Sequence, residues 1–172
     1  MDELGRLSVT AFKAAEKNPI ILVLDNIRSM HNVGSVFRSA DAFLVEAICL
    51  GGYTPQPPHR DIHKTALGAT ETVDWIYFNN TREAILVLKE KGYRIYAIEQ
   101  VADSIPLQKF DREGEPVALI FGNEVEGVQQ DLIDLCDGCI EIPQFGMKHS
   151  LNISVAAGIV LWEMVRDINS KR

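Results

Sequence analysis

The sequence predicts an α/β fold in which helices cover both faces of a mostly parallel sheet. Short apolar runs alternate with segments of helical spacing along most of the 172 residues, which is typical of a sheet built from strand–helix–strand units. Several of these runs are apolar at consecutive positions, as expected of strands that are buried on both faces. The predicted strands are residues 20–24, 47–50, 73–78, 93–98, 117–121 and 139–142.

Segments with helical spacing fill the intervals between these strands. Residues 34–44 place their apolar side chains on one side of a helix, and residues 81–91 are amphipathic, with Thr81 as the expected N-cap and Gly92 just past the end. Residues 53–60 contain three prolines and are predicted to be irregular. The remaining predicted helices are residues 128–135 and 151–167.

Composition predicts one packed domain. Hydrophobic residues make up 47% and charged residues 24% of the chain, which suits a globular core and not a disordered chain. We expect a single domain over residues 1–172, with an N-terminal helical extension at 1–18 and the main core at 19–168. No apolar run approaches the ~20 residues of a membrane-spanning helix, and the N-terminal residues lack a signal sequence. Three cysteines cannot all pair, so a cytoplasmic protein is expected.

The net charge of −7 argues against a nucleic-acid partner, because phosphate contacts usually need a basic surface. The positive side chains are unevenly distributed, however, and several lie in or near predicted loops. A local basic surface on an acidic body is therefore compatible with the sequence. The residues that could form such a surface are Arg28, His31, Arg38, Arg60, Lys64 and Lys148, and composition alone favours an acidic protein that binds only small molecules.

Three loops that follow predicted strands carry most of the candidate chemistry, since ligands of parallel sheets bind beyond the carboxyl ends of the strands. In the first loop, residues 25–39, Asn32 can cap the following helix and Gly34 permits close backbone approach. Arg38 lies about one helical turn after Gly34. Taken alone, this segment also fits a capped helix with a surface arginine.

The second loop, residues 121–128, has two glycines with the spacing of a phosphate-binding loop, but Val128 stands where such a loop needs lysine. Glu124 and Glu126 would also repel phosphates. The loop therefore suits a neutral or cationic ligand better, and a solvated acidic turn is the alternative.

The third loop, residues 142–154, is shaped by Pro143 and Gly146. Ser150 can be the N-cap of the last helix, which by itself needs no function. Asn152 then falls in the first helical turn, where its side chain can face a ligand or solvent.

Two further patterns carry less weight. Cys136 and Cys139 form a CxxC motif between a predicted helix and a strand, whereas redox thiolates are stabilised at helix N-termini. His59 and His63 are four residues apart, but no cluster of Cys or carboxylate residues completes a metal site, and no metal is expected. None of the predicted strands is followed by the GxGxxG of a dinucleotide site.

Taken together, the three loops resemble the three sequence motifs of the SpoU (TrmH-like) branch of the SPOUT RNA methyltransferases. The order and spacing of the motifs match the family across nearly all of residues 20–165, and residues 64–69 are also similar to it. The motif residues are Asn32, Val33, Gly34 and Arg38; Phe121, Gly122, Asn123, Glu124 and Gly127; and Ile142, Pro143, Gly146 and residues 150–158. Gln144 departs from the family, which often has methionine there. No appended RNA-binding domain is expected, because residues 1–18 are too few for one.

This resemblance implies an α/β fold with a deep C-terminal trefoil knot, a feature nearly absent from other proteins. It implies a homodimer whose RNA site is completed across the interface, and transfer of a methyl group from S-adenosylmethionine to a ribose 2′-hydroxyl of tRNA or rRNA. The apolar content of the last helix also indicates a second subunit, since it exceeds what one side of a sheet needs. The residues concerned are Ile153, Ala156, Ala157, Val160, Leu161, Trp162, Met164 and Val165.

The resemblance also assigns site residues. We expect the backbone around the cofactor to come from Ala97, Ile98, Glu99, Gly122, Asn123, Ile142, Leu151 and Asn152. Arg38 is the expected central catalytic residue, assisted by Asn32, Glu124, Ser150 and Asn152. Arg38 would act as the base or, because arginine is normally protonated, as a clamp on the RNA phosphate and ribose.

Two other functions remain open at this level. A catalytically silent RNA-binding or assembly protein could share this fold, but Arg38, Glu124 and Asn152 are all present. A methyltransferase acting on a base nitrogen would need a proton acceptor such as aspartate near the target base, whereas the sequence Ser150-Leu151-Asn152 points to ribose.

Overall fold

A single parallel sheet of seven strands forms the centre of the molecule in the computed structural model, which describes residue 5, residues 7–148 and residues 150–169, with side chains up to residue 166. Its strand order is β3-β2-β1-β6-β4-β7-β5, and every pairing is parallel. The strands are β1 (Asn18–Asp25), β2 (Val45–Gly51), β3 (Asp74–Phe78), β4 (Arg94–Ile98), β5 (Ile105–Pro106), β6 (Val117–Phe121) and β7 (Gly138–Glu141). The six predicted strands are present, and β5 is the one that the sequence analysis missed.

Helices cover both faces of this sheet, as predicted. The side chains of β1 show the division, because Ile20, Leu22 and Leu24 belong to one core cluster and Ile21 and Val23 to the other. The helices are α1 (Val9–Ala14), α2 (Met30–Ala42), α3 (Arg60–Ala66), α4 (Ala69–Thr72), α5 (Thr81–Glu90), α6 (Gln130–Ile133) and α7 (Ile153–Asn169). The first cluster contains the buried side chains of α2, α3 and α7, and the second contains those of α5 and α6.

Three helices have N-caps other than those predicted. Ser29 caps α2 by accepting a hydrogen bond from the Asn32 N–H, so the proposal that Asn32 caps this helix is wrong. Asn80 and not Thr81 caps α5. The last helix begins at Ile153, and the Asn152 side chain accepts from the Ser154 N–H at 2.9 Å, so Ser150 is not its cap. Of the predicted N-terminal helix, the structure has α1 alone, and residues 1–4 and 6 lie outside the described residues.

Gly34 brings α2 and α3 together. A Cβ at this position would collide with the Thr65 side chain and with the Ile62 carbonyl of α3. The Thr65 hydroxyl also donates to the His31 carbonyl at 2.9 Å. The close approach expected of Gly34 is therefore a contact between two helices.

The strand order divides the sheet into two halves. From β1 the chain builds outward through β2 and β3, and then crosses to the other side of β1 to add β4, β5, β6 and β7. Ligands of such sheets bind where the order reverses, outside the carboxyl ends of the strands. The trefoil knot stays a prediction. Across the described residues, each helix falls short of the length and apolar character that a membrane crossing requires.

Candidate functional site

A cleft of about 580 Å³ lies at the carboxyl ends of β4, β6 and β7. Three chain segments form most of its wall, namely the end of β4, the loop after β6 and the segment that joins β7 to α7. The lining residues are Ile98, Glu99, Gln100, residues 121–127, Glu141, Ile142, Gln144, residues 150–153 and Ala156. The second and third motif loops therefore meet at one cavity.

Hydrogen bonds connect the three motifs at the rim of this cleft. The Asn32 side-chain amide, from α2, donates to the Glu124 carboxylate at 3.4 Å. The Asn152 amide donates in turn to the Asn32 Oδ1 at 3.1 Å. Residues 120 positions apart in the sequence thus share one hydrogen-bonded chain, and its middle member is Asn32.

The loop after β6 is held in a fixed shape by its own residues and by β4. The Asn123 Oδ1 accepts from the N–H groups of Val125 and Glu126, at 2.9 and 3.2 Å. The Glu99 carboxylate accepts from the Val128 N–H at 3.0 Å. Gly127 has a φ of +67° and lies against Glu99, where a Cβ would collide with the carboxylate. Glycine is needed at this position because of the positive φ and because a side chain would collide with Glu99.

Asn26, after β1, links the loops on either side of it. Its φ is +52°, a left-handed conformation that asparagine tolerates better than most residues. Its carbonyl accepts from the Asn123 amide at 2.8 Å, and its side-chain oxygen accepts from the Tyr53 N–H at 2.9 Å. The sequence analysis missed Asn26. Its position between a buried strand and a helix, next to Asp25, was the available signal.

Asp25 is a buried carboxyl beneath these loops. Burial raises its pKa, and the hydrogen bond that it accepts from the Thr81 hydroxyl opposes this rise. Asp25 points away from the cleft lining toward the start of α5, so we assign it to the framework of the site. Thr81, predicted as a helix cap, therefore has a different role.

The cleft is acidic. The carboxylates of Glu99, Glu124, Glu126 and Glu141 are in its wall, and no lysine or arginine is among the lining residues within the described part of the chain. Apolar side chains, including Ile98, Ile142 and Leu151, form the rest of the wall. Such a cavity favours a ligand with positive charge and a flat apolar portion over a polyphosphate.

The predicted catalytic residues occupy three kinds of position. Glu124, Ser150 and Asn152 line the cleft. Asn32 lies behind the lining and contacts it through hydrogen bonds. Arg38 is exposed on α2, outside the lining residues. The structure of one chain thus brings four of the five together and leaves Arg38 on the adjoining surface.

Most of the predicted cofactor residues lie in the cleft, namely Ile98, Glu99, Gly122, Asn123, Ile142, Leu151 and Asn152. Ala97 is different, because it is fully buried in β4 and belongs to the second core cluster. The cleft lining also includes residues that were not predicted to bind the cofactor, several of them members of the motif loops, namely Gln100, Phe121, Val125, Glu126, Gly127, Glu141, Gln144, Ile153 and Ala156.

Apart from Arg38, which is exposed on α2, the candidate RNA-binding residues fall into two groups. Arg28, His31, Arg60 and Lys64 are exposed around the contact between α2 and α3. Lys148 is exposed in the segment before α7. The Arg28 backbone N–H donates to the Glu124 carboxylate at 3.4 Å, so the first group adjoins the rim of the cleft.

The CxxC and HxxxH patterns have structural explanations. Burial raises the pKa of the Cys136 thiol to about 12 and also raises that of Cys139, so both thiols are protonated at neutral pH. The His59 Nδ1 caps α3 by accepting from the Asp61 N–H at 3.1 Å. Among the described residues, no group of three or more His, Cys, Asp or Glu could hold a metal ion.

Comparison with known proteins places this cleft in a family. The family model described as SpoU rRNA Methylase family matches residues 19–162, which include all three motif loops. The chain belongs to the SpoU rRNA methylase family. The resemblance drawn from the motifs is therefore confirmed.

Relatives in the SpoU family match the chain over nearly its whole length. A Vibrio parahaemolyticus protein named 23S rRNA (guanosine-2′-O-)-methyltransferase RlmB is 32% identical over 95% of this chain and 66% of its own length. An AdoMet-bound rRNA methyltransferase from Sinorhizobium meliloti superposes with a TM-score of 0.83, at 28% identity, over 91% of this chain and 60% of that one. The A. aeolicus TrmH/SpoU tRNA modifying enzyme superposes with a TM-score of 0.81, at 28% identity, over 93% of this chain and 80% of that one. The chain spans less than two thirds of the length of the curated relatives it matches, 66% in the Vibrio case.

Proposed function

We propose that this chain transfers a methyl group from S-adenosylmethionine to a ribose 2′-hydroxyl of tRNA or rRNA. The observation that carries the proposal is the hydrogen-bonded chain of Glu124, Asn32 and Asn152, which joins the three motifs at the rim of an acidic cleft. Relatives named as rRNA 2′-O-methyltransferases and as a tRNA modifying enzyme support this substrate class and leave the choice of RNA open. The three free cysteines support a cytoplasmic site of action.

The cleft fits S-adenosylmethionine in volume and in charge. Pockets that enclose small molecules measure roughly 300–1,000 Å³, and this one measures about 580 Å³. Its carboxylates suit the positive charges of the sulfonium and the amino group, and the apolar side chains of Ile98, Ile142 and Leu151 suit the adenine ring. The AdoMet-bound relative from Sinorhizobium meliloti supports the same cofactor here. When bound, this cofactor supplies an activated methyl group on a cationic sulfur.

The residues of the chain would then act mainly by positioning. We assign to Glu124 and Asn32 the task of fixing the loop after β6 against α2, because they are directly hydrogen-bonded. Ser150 and Asn152, at the start of α7, would orient the cofactor or the target ribose. Correct placement of the hydroxyl can provide much of the acceleration, since held geometry replaces a bimolecular encounter.

Arg38 acts on the RNA in this proposal and not on the cofactor. Its guanidinium is exposed on α2 and lies outside the cleft of its own chain. A site completed across a dimer interface would place Arg38 beside the cofactor of the other subunit. The arginine would serve there as the base or as the clamp that holds the RNA phosphate and ribose.

Calorimetry provides the test of the cofactor assignment. We expect S-adenosylmethionine and S-adenosylhomocysteine to bind, because the cleft is acidic and the loop after β6 lacks the lysine of a phosphate-binding loop. ATP and NAD should not bind tightly, since their phosphates would meet four carboxylates. Tight binding of ATP or NAD, with no response to the methyl donor, would contradict the assignment.

A dimer is the second expectation, and α7 supplies its surface. Most of the apolar residues counted from the sequence are buried inside the chain, including Ala157, Val160 and Leu161. The exposed apolar residues of this helix are Val155, Ile159 and Trp162, between 39% and 57% exposed. They recur at helical spacing and form one stripe, which would be covered by a second subunit.

Sedimentation of charged variants tests this stripe. The wild type should sediment as a dimer, and Val155→Asp or Trp162→Asp should shift it toward the monomer, because the interface would then bury an unpaired charge. Leu86→Asp is the control, since Leu86 is 46% exposed on α5, a helix of the opposite sheet face. A wild-type monomer at micromolar concentration, or dissociation by the control alone, would contradict the assignment of α7.

Mapping of ribose methylation tests the proposed function as a whole. RNA from a strain that lacks the gene should have lost 2′-O-methylation at specific nucleotides of tRNA or rRNA, and the purified chain should restore it with S-adenosylmethionine. Loss of a base methylation with intact ribose methylation would support the base-nitrogen alternative. An unchanged pattern with altered ribosome or tRNA assembly would support the silent RNA-binding alternative.

A further inference from the structure

Tyr53 has a large aromatic side chain that a hydrogen-bonded loop presents to solvent. It lies two residues after the end of β2 and is 85% exposed. Three hydrogen bonds fix the backbone on either side of it. The Tyr53 N–H donates to the Asn26 side chain at 2.9 Å, the Ile27 N–H donates to the Thr54 hydroxyl at 3.0 Å, and the Tyr77 hydroxyl donates to the Gly52 carbonyl at 3.0 Å.

The neighbouring residue Thr54 also helps to hold the backbone of the Tyr53 loop in place. It is buried, and its hydroxyl lies within hydrogen-bond distance of the Gly51 and Leu24 carbonyl oxygens, at 2.8 and 3.0 Å. A hydrophobic side chain attached to a mobile loop could fold back onto the protein. Here hydrogen bonds hold the backbone on both sides of Tyr53, and the ring extends from it into solvent.

Cationic side chains are exposed on the segments that adjoin the Tyr53 loop. Arg28 follows Ile27, whose N–H is bonded to Thr54, and is exposed. Arg60 and Lys64 are exposed on α3, which begins directly after the loop 53–59, and Asp61 is the acidic residue in the first turn of that helix. An exposed aromatic ring flanked by cationic side chains is the combination that binds single-stranded nucleic acid, since bases stack on the ring and phosphates pair with the cations.

The position of Tyr53 relative to the cleft is set by the sheet. Asp25 of β1 pairs with Gly51 of β2, and Leu24 pairs with Phe121 of β6 on the other side. The Tyr53 loop and the loop after β6 are therefore two strand spacings apart, roughly 10 Å. Asn26 is hydrogen-bonded to both loops. A ring at this distance reaches a neighbour of the nucleotide whose ribose is at the cleft.

We propose that Tyr53 stacks on an unpaired RNA base next to the methylated nucleotide and so contributes to the choice of substrate. The inference rests on the proposed function, because it takes RNA as the substrate of the cleft. Tyr53 is not among the described residues that line the cleft, and it acts as a positioning residue for the RNA.

Binding of single-stranded RNA to the full chain tests this role. With poly(A) and poly(U) as probes, Tyr53→Ala should weaken binding on the order of tenfold, the usual effect of removing one stacking aromatic. Tyr53→Phe should bind like the wild type, and Tyr53→Leu like Tyr53→Ala, because leucine is apolar but cannot stack. On an abasic strand of equal length, all four proteins should bind alike.

Salt dependence separates stacking from charge. Tyr53→Ala should leave the slope of binding against salt concentration unchanged, whereas Arg28→Ala should reduce it by about one, as expected for the loss of one phosphate contact. Leu86→Ala, which removes an exposed apolar side chain from α5, should behave as the wild type in every assay. In methyl transfer to the RNA identified by mapping, Tyr53→Ala should raise KM far more than it lowers kcat.

Several results would overturn the inference. These are wild-type binding by Tyr53→Ala, an equal loss by Tyr53→Phe, an equal loss on the abasic strand, and a change in oligomeric state, which would make Tyr53 an interface residue. Failure of the proposed function looks different. If the chain binds RNA through Tyr53 but transfers no methyl group, the stacking role of Tyr53 in RNA binding stands, and both the enzyme assignment and the placement of Tyr53 beside a methylated nucleotide fall. If the Tyr53→Ala variant transfers methyl groups as well as the wild type, the enzyme assignment stands and the role proposed for Tyr53 falls.

Discussion

Arg38→Ala is expected to lower methyl transfer by ~10²-fold or more, the scale of losing a group that assists the reacting hydroxyl. Cofactor affinity and folding should remain close to those of the wild type. Arg38 is exposed on α2 and lies outside the cleft, so its removal leaves the cofactor pocket complete. Single-turnover transfer of labelled methyl to RNA, beside calorimetry of cofactor binding, measures the two quantities separately.

Arg38→Lys distinguishes the two roles of the arginine. Lysine keeps the positive charge but loses the planar fork of donors. Partial recovery of transfer by lysine would indicate that charge on the RNA phosphate is sufficient. Equal inactivity of lysine and alanine would indicate that fork geometry or base chemistry is required. Near wild-type transfer by Arg38→Ala would remove this residue from the mechanism and favour the silent RNA-binding alternative.

Asn32→Ala is expected to have the next largest effect, about 10²-fold on transfer, because small displacements of positioning groups are costly to catalysis. Asn32 accepts from Asn152 and donates to Glu124, so one substitution separates the three motif segments from each other. Stability should change little, since these hydrogen bonds lie at an exposed rim.

A double-mutant cycle checks that the three residues act as one chain. Asn152→Ala alone should resemble Asn32→Ala, and the double variant should be hardly worse than either, because the shared hydrogen bond is already lost. Asn79→Ala is the matched control, since Asn79 is exposed after β3, the edge strand farthest from the cleft in that half of the sheet. If the losses of activity caused by Asn32→Ala and Asn152→Ala add up in the double variant, the two residues do not act through a shared hydrogen bond.

The strands were predictable from the sequence because they are buried on both faces. A run such as residues 117–121 is apolar at every position and buried at every position in the structure. Its composition alone therefore predicts a strand that is buried on both faces. β5 has two residues and α4 has four, too few to show a period. α3 was missed because Ile62 and Ala66 are its only buried side chains, a weak signal directly after three prolines.

The helix starts show a different limit. Near α2, α5 and α7 the sequence offers two capping residues within three positions, Ser29 and Asn32, Asn80 and Thr81, and Ser150 and Asn152. Their intrinsic preferences for the N-cap are similar. The choice is made by tertiary contacts, as when Thr81 bonds to the buried Asp25. Local propensity does not contain that information.

The site was predictable as three motifs but not as a set of distances. The motifs indicated which residues matter, and the parallel sheet indicated that their loops share an edge. The series of hydrogen bonds through Asn32 could not be foreseen, because it joins Asn32 to Glu124 and Asn152. These two residues are 92 and 120 positions away from it in the sequence. Asn26 and Tyr53 went unnoticed for a related reason. Their significance depends on a backbone conformation and an exposure that only the folded chain displays.

The reversal of strand order at β1 has a consequence for how such a protein can change during evolution. The cofactor cleft is built by β4, β6 and β7, and Tyr53 and most of the candidate cations lie in the half that holds β1, β2 and β3. The hydrogen bonds of Asn26, Arg28 and Asn32 connect the two halves. Surface residues between 53 and 67 can therefore be exchanged without altering the wall of the cleft. We expect new RNA targets to be acquired in this way, with the methyl-donor half inherited unchanged.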